Sequence, residues 1–164
     1  MKHITDVVFR LAERDDCALI KRFITALAEY EQLADEAVVT EELLDEWLFD
    51  KRAAEVFFAV VDGCEVGFAL FFTNFSTFLG RAGLYLEDIF VTAEFRGRGI
   101  GTAMLRELAG IAVKRGYGRF EFACLDWNTL GIEFYRLHGA EAMSDWTTYR
   151  FSGDALLGLA AEGV

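Results

Sequence analysis

The stretch LYLEDIFVTAEFRGRGIG, residues 84–101, reads as a strand followed by a glycine-rich turn and the start of a helix. Three glycines, Gly97, Gly99 and Gly101, alternate with bulkier residues, and two arginines lie among them. Glycines let backbone N–H groups turn inward without side-chain obstruction, and a helix directs its positive end toward the turn before it. The stretch therefore predicts a site for an anionic group.

Three kinds of phosphate-binding loop compete for this stretch. A nucleotide triphosphate loop needs a lysine after its last glycine, and none follows Gly101. A dinucleotide fold needs G-x-G-x-x-G, whereas the spacing here is G-x-G-x-G; Glu121 lies at a suitable distance, but the motif falls past mid-chain. The third pattern, [QR]-x-x-G-x-[GA], is matched by residues 96–101 and resembles the pyrophosphate loop of the GNAT superfamily of N-acetyltransferases.

The composition limits the number of domains, the kind of ligand and the compartment. The 164 residues are 54% hydrophobic and 15% aromatic, which predicts a single domain with a substantial core. The net charge of −11 opposes binding to nucleic acid or an acidic membrane surface and favours a cationic ligand, although acidity also keeps a protein soluble. No run approaches the ~20 apolar residues of a membrane span, and no signal peptide is recognised at the start. Three cysteines without a CxxC pair predict reduced, mostly buried thiols in the cytoplasm.

The predicted elements alternate in a mixed α/β pattern. Antiparallel hairpins come first, with Asp62-Gly63 as a hairpin turn, and a βαβ crossover follows. Thr40 is predicted to cap a helix. The predicted strands are 7–11, 55–61, 65–73, 84–92, 119–125 and 146–151. The first predicted helix is capped by Asp15 or Asp16 and runs to about residue 33, and the others are 41–49, 99–114, 129–138 and 154–162.

Further motifs accompany the glycine-rich stretch: LDWN at residues 125–128, EFYRLHGA at 133–140 and LAEYEQLADE at 27–36. Together they resemble the GNAT superfamily of N-acetyltransferases, in its diamine acetyltransferase branch. The resemblance runs from about residue 5 to 152 and is weakest over roughly 50–83. It implies an α/β (α+β) fold with a mixed central sheet of about six to seven strands flanked by about four helices. It also implies acetyl-CoA as co-substrate, a small cationic amine as substrate, and a homodimer.

Glu87 is the candidate general base. It lies in an otherwise apolar strand, where a charge is costly without a reason. An alkylammonium has a pKa near ~10.4 and must lose a proton before it attacks a thioester. Strand alternation predicts that Tyr85 and Glu87 share one face and that Asp88 points to the other, in a structural role. The resemblance implies that Glu87 binds the amine and accepts its proton through water; the alternative is a carboxylate paired with an arginine or lysine.

Tyr135 is the candidate general acid, since the resemblance implies a tyrosine at this position that protonates the leaving sulfur. The alternative is a packing tyrosine, because Ile132, Tyr135 and Gly139 share a helical stripe. Asn128 should cap the same helix whatever the function, and the resemblance implies that it also contacts coenzyme A.

The resemblance implies two larger sets of contacts. Backbone groups of Ile89–Val91 would pair with the pantetheine arm, and those around Phe90–Val91 would stabilise the oxyanion. The implied coenzyme A contacts are Ile89, Phe90, Val91, Arg96, Gly97, Arg98, Gly99, Ile100, Gly101, Thr102, Asn128 and Tyr135. The implied substrate contacts are Tyr30, Glu31, Glu87, Glu121, Phe122 and Ala123. His3 and His138 lack metal-ligand spacing, so no metal is expected.

Three functions stay open at this point. The first is acetylation of a small amine, the second acetylation of a protein or peptide amine, and the third a non-catalytic acyl-CoA-binding sensor or docking module. Glu87 and Tyr135 favour an enzyme, because a binding module needs neither a base nor an acid.

Overall fold

The computed structural model describes residues 6–161. Its elements fall in the order expected from the sequence, with shorter bounds at several ends. They are β1 (Val8–Leu11), α1 (Cys17–Tyr30), α2 (Glu41–Leu44), β2 (Glu55–Val61), β3 (Cys64–Ser76), β4 (Arg81–Val91), α3 (Ile100–Lys114), β5 (Phe120–Phe122), α4 (Thr129–Leu137) and α5 (Gly153–Ala161). A π-helical turn, Asp45–Asp50, continues α2. Glu162, the predicted end of α5, lies outside the described residues.

The five strands form one mixed sheet in the order β1-β2-β3-β4-β5. The first four pair antiparallel, and β4 and β5 pair in parallel across the α3 crossover. The mixed α/β class is thus confirmed, but the described residues hold five strands rather than six to seven. They hold five helices where about four were expected.

The predicted last strand, 146–151, accounts for one of the missing strands. Its residues, including Trp146 and Phe151, adopt no regular structure. β-propensity records how well a side chain fits a paired surface, so a favourable composition supplies no partner edge. Within residues 6–161 no strand pairs with this segment.

Local signals fixed the turns and caps. Asp62 and Gly63 both take positive φ, 51° and 77°, as a two-residue hairpin turn requires. The Thr40 hydroxyl accepts a hydrogen bond from the Leu43 amide at 3.2 Å, so the predicted N-cap is confirmed. Asp16 stands at the N-cap position of α1, but its carboxylate binds Arg10 at 2.7 Å rather than the helix.

Helix α1 buries its apolar stripe against one face of the sheet, which we call the α1 face. Phe23 stacks on Phe68 at 5.3 Å and contacts Phe58 and Phe90. Leu70 packs against the same cluster. Aromatic contacts of this kind contribute about 0.5–1.5 kcal/mol each beyond their buried area, so they fix α1 over the middle of the sheet.

A β-bulge interrupts β4 at Glu87. Leu70 pairs with Asp88, and the next residue of β3, Phe71, pairs with Leu86, so Glu87 has no partner opposite it. An extra residue of this kind bends a strand and re-aims its side chains. The bulge therefore changes which residues of β4 face α1.

The predicted alternation along β4 is wrong for this reason. Tyr85 pairs with Phe72, which is two residues from Leu70 and thus on the α1 face. Asp88 pairs with Leu70 and lies on the α1 face too. Tyr85 and Asp88 are three residues apart and would point to opposite faces in a regular strand.

The chain divides into two compact units, 1–123 and 124–164. The first contains the sheet and α1–α3, and the second contains α4 and α5. The expectation of one domain stays a prediction. Among the described residues, no helix is long and apolar enough to cross a membrane.

Candidate active site

The carboxyl half of β4 leaves part of its backbone unpaired on one side. Strand β5 pairs with β4 only from Leu84 to Leu86. In the part of the chain that the structure describes, no strand pairs with Ile89–Val91 on that side. Unpaired N–H and C=O groups form a ready edge for another extended chain. The segment predicted to contact pantetheine thus lies at an open edge.

Glu87 occupies the bulge at the start of this open edge, and its side chain is exposed. Among residues 6–161 no arginine, lysine or histidine forms a salt bridge with it. This is evidence against the alternative of a structural ion pair. The carboxylate is therefore available to a positively charged ligand.

Asp88 is a site residue that the sequence analysis assigned to a structural role. Burial, followed by the nearby charges of Glu87 and Glu31, raises the pKa of Asp88 from 3.8 to about 6. Burial likewise raises the pKa of Glu31, which follows the last residue of α1. Three carboxylates thus gather where α1 ends over β4, and we call Glu31, Glu87 and Asp88 the acidic group.

Arg96 contacts residues that neighbour this group in the chain, and within residues 6–161 it forms no salt bridge with a carboxylate. Its Nε donates to the carbonyl of Val91 at 2.8 Å. Its guanidinium lies over the rings of Tyr30 and Phe90, at 4.5 and 5.1 Å from their centroids. Arg96 thereby connects the glycine loop, the end of β4 and the last residue of α1.

The glycine loop has the backbone that the sequence predicts. Gly97 and Gly99 take φ values of 71° and 84°, in the left-handed region that favours glycine. Gly99 is the N-cap of α3, so the amides of Ile100, Gly101 and Thr102 belong to its first turn. Oriented amides at a helix N-terminus suit a phosphate. The Arg98 guanidinium lies over Phe95, at 4.9 Å.

The predicted substrate segment 121–123 lies at the end of β5 and just beyond. Glu121 is not isolated there, because its Oε2 accepts from Asn74 Nδ2 at 3.1 Å and lies 2.9 Å from Arg119 Nε. Phe122 contacts Phe120 edge to face at 5.7 Å, and Ala123 is exposed. The side chain of Glu121 is thus paired, unlike the acidic group.

The second unit holds the other predicted residues. Asn128 caps α4, since its Oδ1 accepts from the Gly131 amide at 3.0 Å, and this prediction is confirmed. Tyr135 lies two turns into α4, half-buried, with its ring 5.3 Å from that of Phe134. Gly139, with φ of 86°, follows the end of the helix as expected.

Sequence reasoning missed Asp88, Arg119 and Asn74. A carboxylate next to Glu87 in an apolar strand was a signal for Asp88, but the assumed alternation turned it away. Arg119 and Asn74 stand near Glu121 only because β3, β4 and β5 lie side by side, and no motif marks them. No cluster of three or more potential metal ligands occurs in residues 6–161, and His3 lies outside them.

A separate concavity of about 500 Å³ lies at the β1–β2 edge of the sheet. Leu11, Leu48, Phe49 and Val56 line it together with Arg14 and Arg52. The acidic group and the open edge belong to β4, three strands away from β1 in the sheet order. The concavity is therefore not part of the candidate active site.

Comparison with known proteins identifies the family of the chain. The profile of the acetyltransferase (GNAT) family matches residues 21–140. A thialysine N-epsilon-acetyltransferase of Sus scrofa is 36% identical over 97% of this chain and 100% of its own length. An L-ornithine N5-acetyltransferase of Arabidopsis thaliana is 44% identical over 55% of this chain and 40% of its own.

Solved structures agree as well. An integron cassette protein from the mobile metagenome of V. cholerae superposes with a TM-score of 0.78 and 28% identity, over 94% of this chain and 97% of its own. The relatives support an enzyme that acts on amines as an N-acetyltransferase. The chain belongs to the acetyltransferase (GNAT) family, and its curated relatives match the diamine acetyltransferase branch.

Proposed function

We propose that the chain transfers the acetyl group of acetyl-CoA directly to a primary amine of a small cation: a diamine, a polyamine, thialysine or a related amino acid. The observation that carries the proposal is the acidic group of Glu31, Glu87 and Asp88. The group has no ion-pair partner in the described residues. Glu31 follows α1, and Glu87 and Asp88 lie on β4, the strand that leads into the glycine loop. The names of the thialysine and ornithine relatives favour the same substrates.

Two features support acetyl-CoA as co-substrate. The first-turn amides of α3, with Gly97 and Gly99 in the left-handed region, suit the pyrophosphate. The open edge of Ile89–Val91 suits the amide groups of the pantetheine arm. Asn128 is proposed as a further coenzyme A contact on the strength of the resemblance.

The proposed chemistry needs three groups. Glu87 accepts a proton from the ammonium through water, so that the free amine can attack the thioester carbonyl. Backbone N–H groups around Phe90 and Val91 stabilise the oxyanion. Tyr135 donates a proton to the leaving thiolate. Acetyl-CoA supplies the activated acyl group: the N–C bond forms first, and the C–S bond then breaks as the oxyanion returns to a carbonyl. The nitrogen also gives up a second proton, which replaces the one that Tyr135 donates.

Release of free thiol from acetyl-CoA tests this function. The amines are spermidine, putrescine, thialysine, ornithine, lysine and a basic peptide, with each product weighed by mass spectrometry. Tyr135→Phe should lower kcat about 10²- to 10⁴-fold and leave acetyl-CoA affinity close to that of the unmodified chain. Leu137→Ala, a change in the same helix, is the control for stability.

Other results would favour the other functions. Tight acetyl-CoA binding without thiol release from any amine would favour the sensor. Release with the peptide alone would favour a protein substrate. If Tyr135→Phe kept full activity, its ring would be a packing group and another acid would be required.

We also propose a homodimer in the cytoplasm. The resemblance supports the dimer and the cysteine pattern supports the cytoplasm, although Cys64 is exposed rather than buried. Light scattering of the purified chain would measure the mass, and a monomer at all concentrations would reject the dimer.

A further inference from the structure

Two aromatic side chains, Phe72 and Tyr85, lie on the α1 face between the acidic group and β5, and we call them the aromatic pair. The rings of Phe72 and Tyr85 lie 5.1 Å apart, and both are half-buried. Phe72 pairs with Tyr85, and Tyr85 pairs with Glu121, so the three side chains share one face. Burial, followed by the charges of Glu87 and Glu121, raises the pKa of Tyr85. Tyr85 therefore lies between the two carboxylates.

On the β5 side of the aromatic pair lie a positively charged side chain, Arg119, and a negatively charged one, Glu121. Arg119 Nε lies 2.9 Å from Glu121 Oε2, and Asn74 Nδ2 donates to the same oxygen at 3.1 Å. The Nη2 of Arg119 donates to the carbonyl of Phe75 at 3.2 Å. Within residues 6–161, no hydrogen bond uses Nη1 of Arg119 or Oε1 of Glu121. In the same range, Arg119 Nε and Asn74 Oδ1 also form no hydrogen bond, so Nε meets Glu121 as an ion pair only. Donors and acceptors of both residues of the ion pair thus stay available in a cluster of zero net charge.

A glycine makes room for this cluster. A Cβ at Gly83 would lie 2.6 Å from Asn74 Oδ1 and 2.9 Å from Arg119 Cγ, closer than real contacts allow. The side chains of Arg119 and Glu121 are about one-third exposed, 33% and 35%. The pair is therefore fixed by its neighbours and still reachable by a small ligand.

The distance between Glu87 and Glu121 fits a short diamine skeleton. Tyr85 and Glu87 are two residues apart, at most ~6.6 Å along the strand because the bulge at Glu87 shortens the rise, and Glu121 lies one strand over, ~4.8 Å to the side. The diagonal between the backbone positions of Glu87 and Glu121 is therefore at most ~8 Å. Two nitrogens joined by four or five carbons span about 6–8 Å when extended. An amine held at Glu87 would thus place its other nitrogen at Glu121.

We propose that Arg119 and Glu121, held by Asn74, form a subsite for the α-amino-carboxylate head of the substrate. Arg119 donates to the carboxylate, Glu121 accepts from the α-ammonium, and the side-chain amine lies at Glu87. Arg119 is then a specificity-determining residue that favours a basic α-amino acid over the diamine without its carboxylate. This inference rests on the proposed function, since Glu87 is taken there as the amine site.

Calorimetric binding of matched ligands tests the subsite. L-ornithine is compared with putrescine, and L-lysine with cadaverine, so each pair differs only by the α-carboxylate. In Arg119→Gln the dissociation constant of the amino acids should rise about 10- to 100-fold, because a charge-assisted hydrogen bond is lost. Putrescine should bind as well as it does to the unmodified chain or better, since Glu121 loses its ion pair with Arg119 and can bind the amine. Arg119→Lys should recover part of the loss.

Arg115→Gln is the matched control. It breaks the Arg115–Glu55 ion pair, whose side chains are 36% and 40% exposed, in the same unit but at the end of α3. It should leave all four dissociation constants unchanged. The subsite is overturned if Arg119→Gln weakens ornithine and putrescine equally, or if the unmodified chain binds ornithine no better than putrescine.

Turnover separates this inference from the proposed function. If Arg119-dependent binding of ornithine occurs without acetylation by acetyl-CoA, the subsite stands and the proposed reaction fails. If ornithine and putrescine are acetylated with equal kcat/KM, the reaction stands and the subsite fails.

Discussion

The candidate site contains two polar clusters, the acidic group and the set of Arg119, Glu121 and Asn74. Within residues 6–161, Arg119 forms a salt bridge with a carboxylate, whereas Arg96 forms none. Arg119 lies 2.9 Å from Glu121 and neutralises it. Arg96 donates instead to the Val91 carbonyl and lies over Tyr30 and Phe90. The acidic group therefore has no cationic partner among the described residues.

The difference indicates two kinds of recognition on one sheet. A neutral pair such as Arg119–Glu121 can bind a zwitterion without a large change in charge. Burial, followed by the charges of Glu87 and Glu31, raises the pKa of Asp88, and a cation beside these carboxylates would offset both effects. A ligand with a zwitterionic head and a cationic end complements both clusters.

The largest effect is expected when the base is removed from the acidic group. Glu87→Gln should lower kcat about 10²- to 10⁴-fold, because the ammonium then has no positioned acceptor for its proton. Steady-state thiol release with the preferred amine measures it. Glu121→Gln is the comparison, since it also removes one carboxylate; there KM for an amino acid should change while kcat is largely kept. Equal losses of kcat in both variants would mean that charge alone, rather than proton transfer, matters at Glu87.

A second effect concerns stability and pH at Asp88. Its pKa is raised from 3.8 to about 6, so between these pH values the folded chain holds a proton that the unfolded chain has lost. Stability therefore falls as pH rises through that window, by about 3 kcal/mol in total. Asp88→Asn removes this loss and should be more stable than the unmodified chain at pH 8, with the difference shrinking toward pH 4.

Urea unfolding across this pH range, without ligand, measures the difference. Glu29→Gln, which removes an exposed carboxylate of α1, is the control for the loss of one negative charge. A stability difference for Asp88→Asn that stays constant from pH 4 to pH 8 would contradict a raised pKa at this residue.

The two clusters also differ in how far the sequence could predict them. The glycine loop and the caps at Thr40 and Asn128 are local, so residues within one turn decide them. The bulge at Glu87 depends on the register between β3 and β4, which no single stretch encodes. Asp88 was therefore assigned to the wrong face.

The same reasoning explains what was missed at the other cluster. Glu121 was expected to contact the substrate as an isolated carboxylate, but its partners come from β3 and from the turn before β5. Side chains that meet across three strands leave no spacing signal in the chain. The predicted strand 146–151 failed for the related reason that a strand needs a partner edge.

The smallest effect on catalysis is expected from substitution of Arg96, which forms no ion pair with a carboxylate in the described residues. Arg96→Lys keeps the positive charge but loses the planar stack on Tyr30 and the Nε donor to Val91. If the side chain acts by holding Tyr30 at the amine site, KM for the amine should rise about 2- to 5-fold, as expected for an exposed cation–π contact. KM for acetyl-CoA should stay close to its original value, because the backbone amides of the glycine loop are unchanged.

Tyr30→Leu supplies the test of this coupling. Once the ring is gone, Arg96→Lys should have little further effect on the amine, so the two changes together should cost less than the product of their separate effects. A different result would identify Arg96 as a direct phosphate contact. In that case Arg96→Lys would raise KM for acetyl-CoA but not for the amine, and the rise would be equally large in the Tyr30→Leu variant. Arg96 would then form no ion pair with the acidic group because it binds the co-substrate, whereas Arg119 would still pair with Glu121.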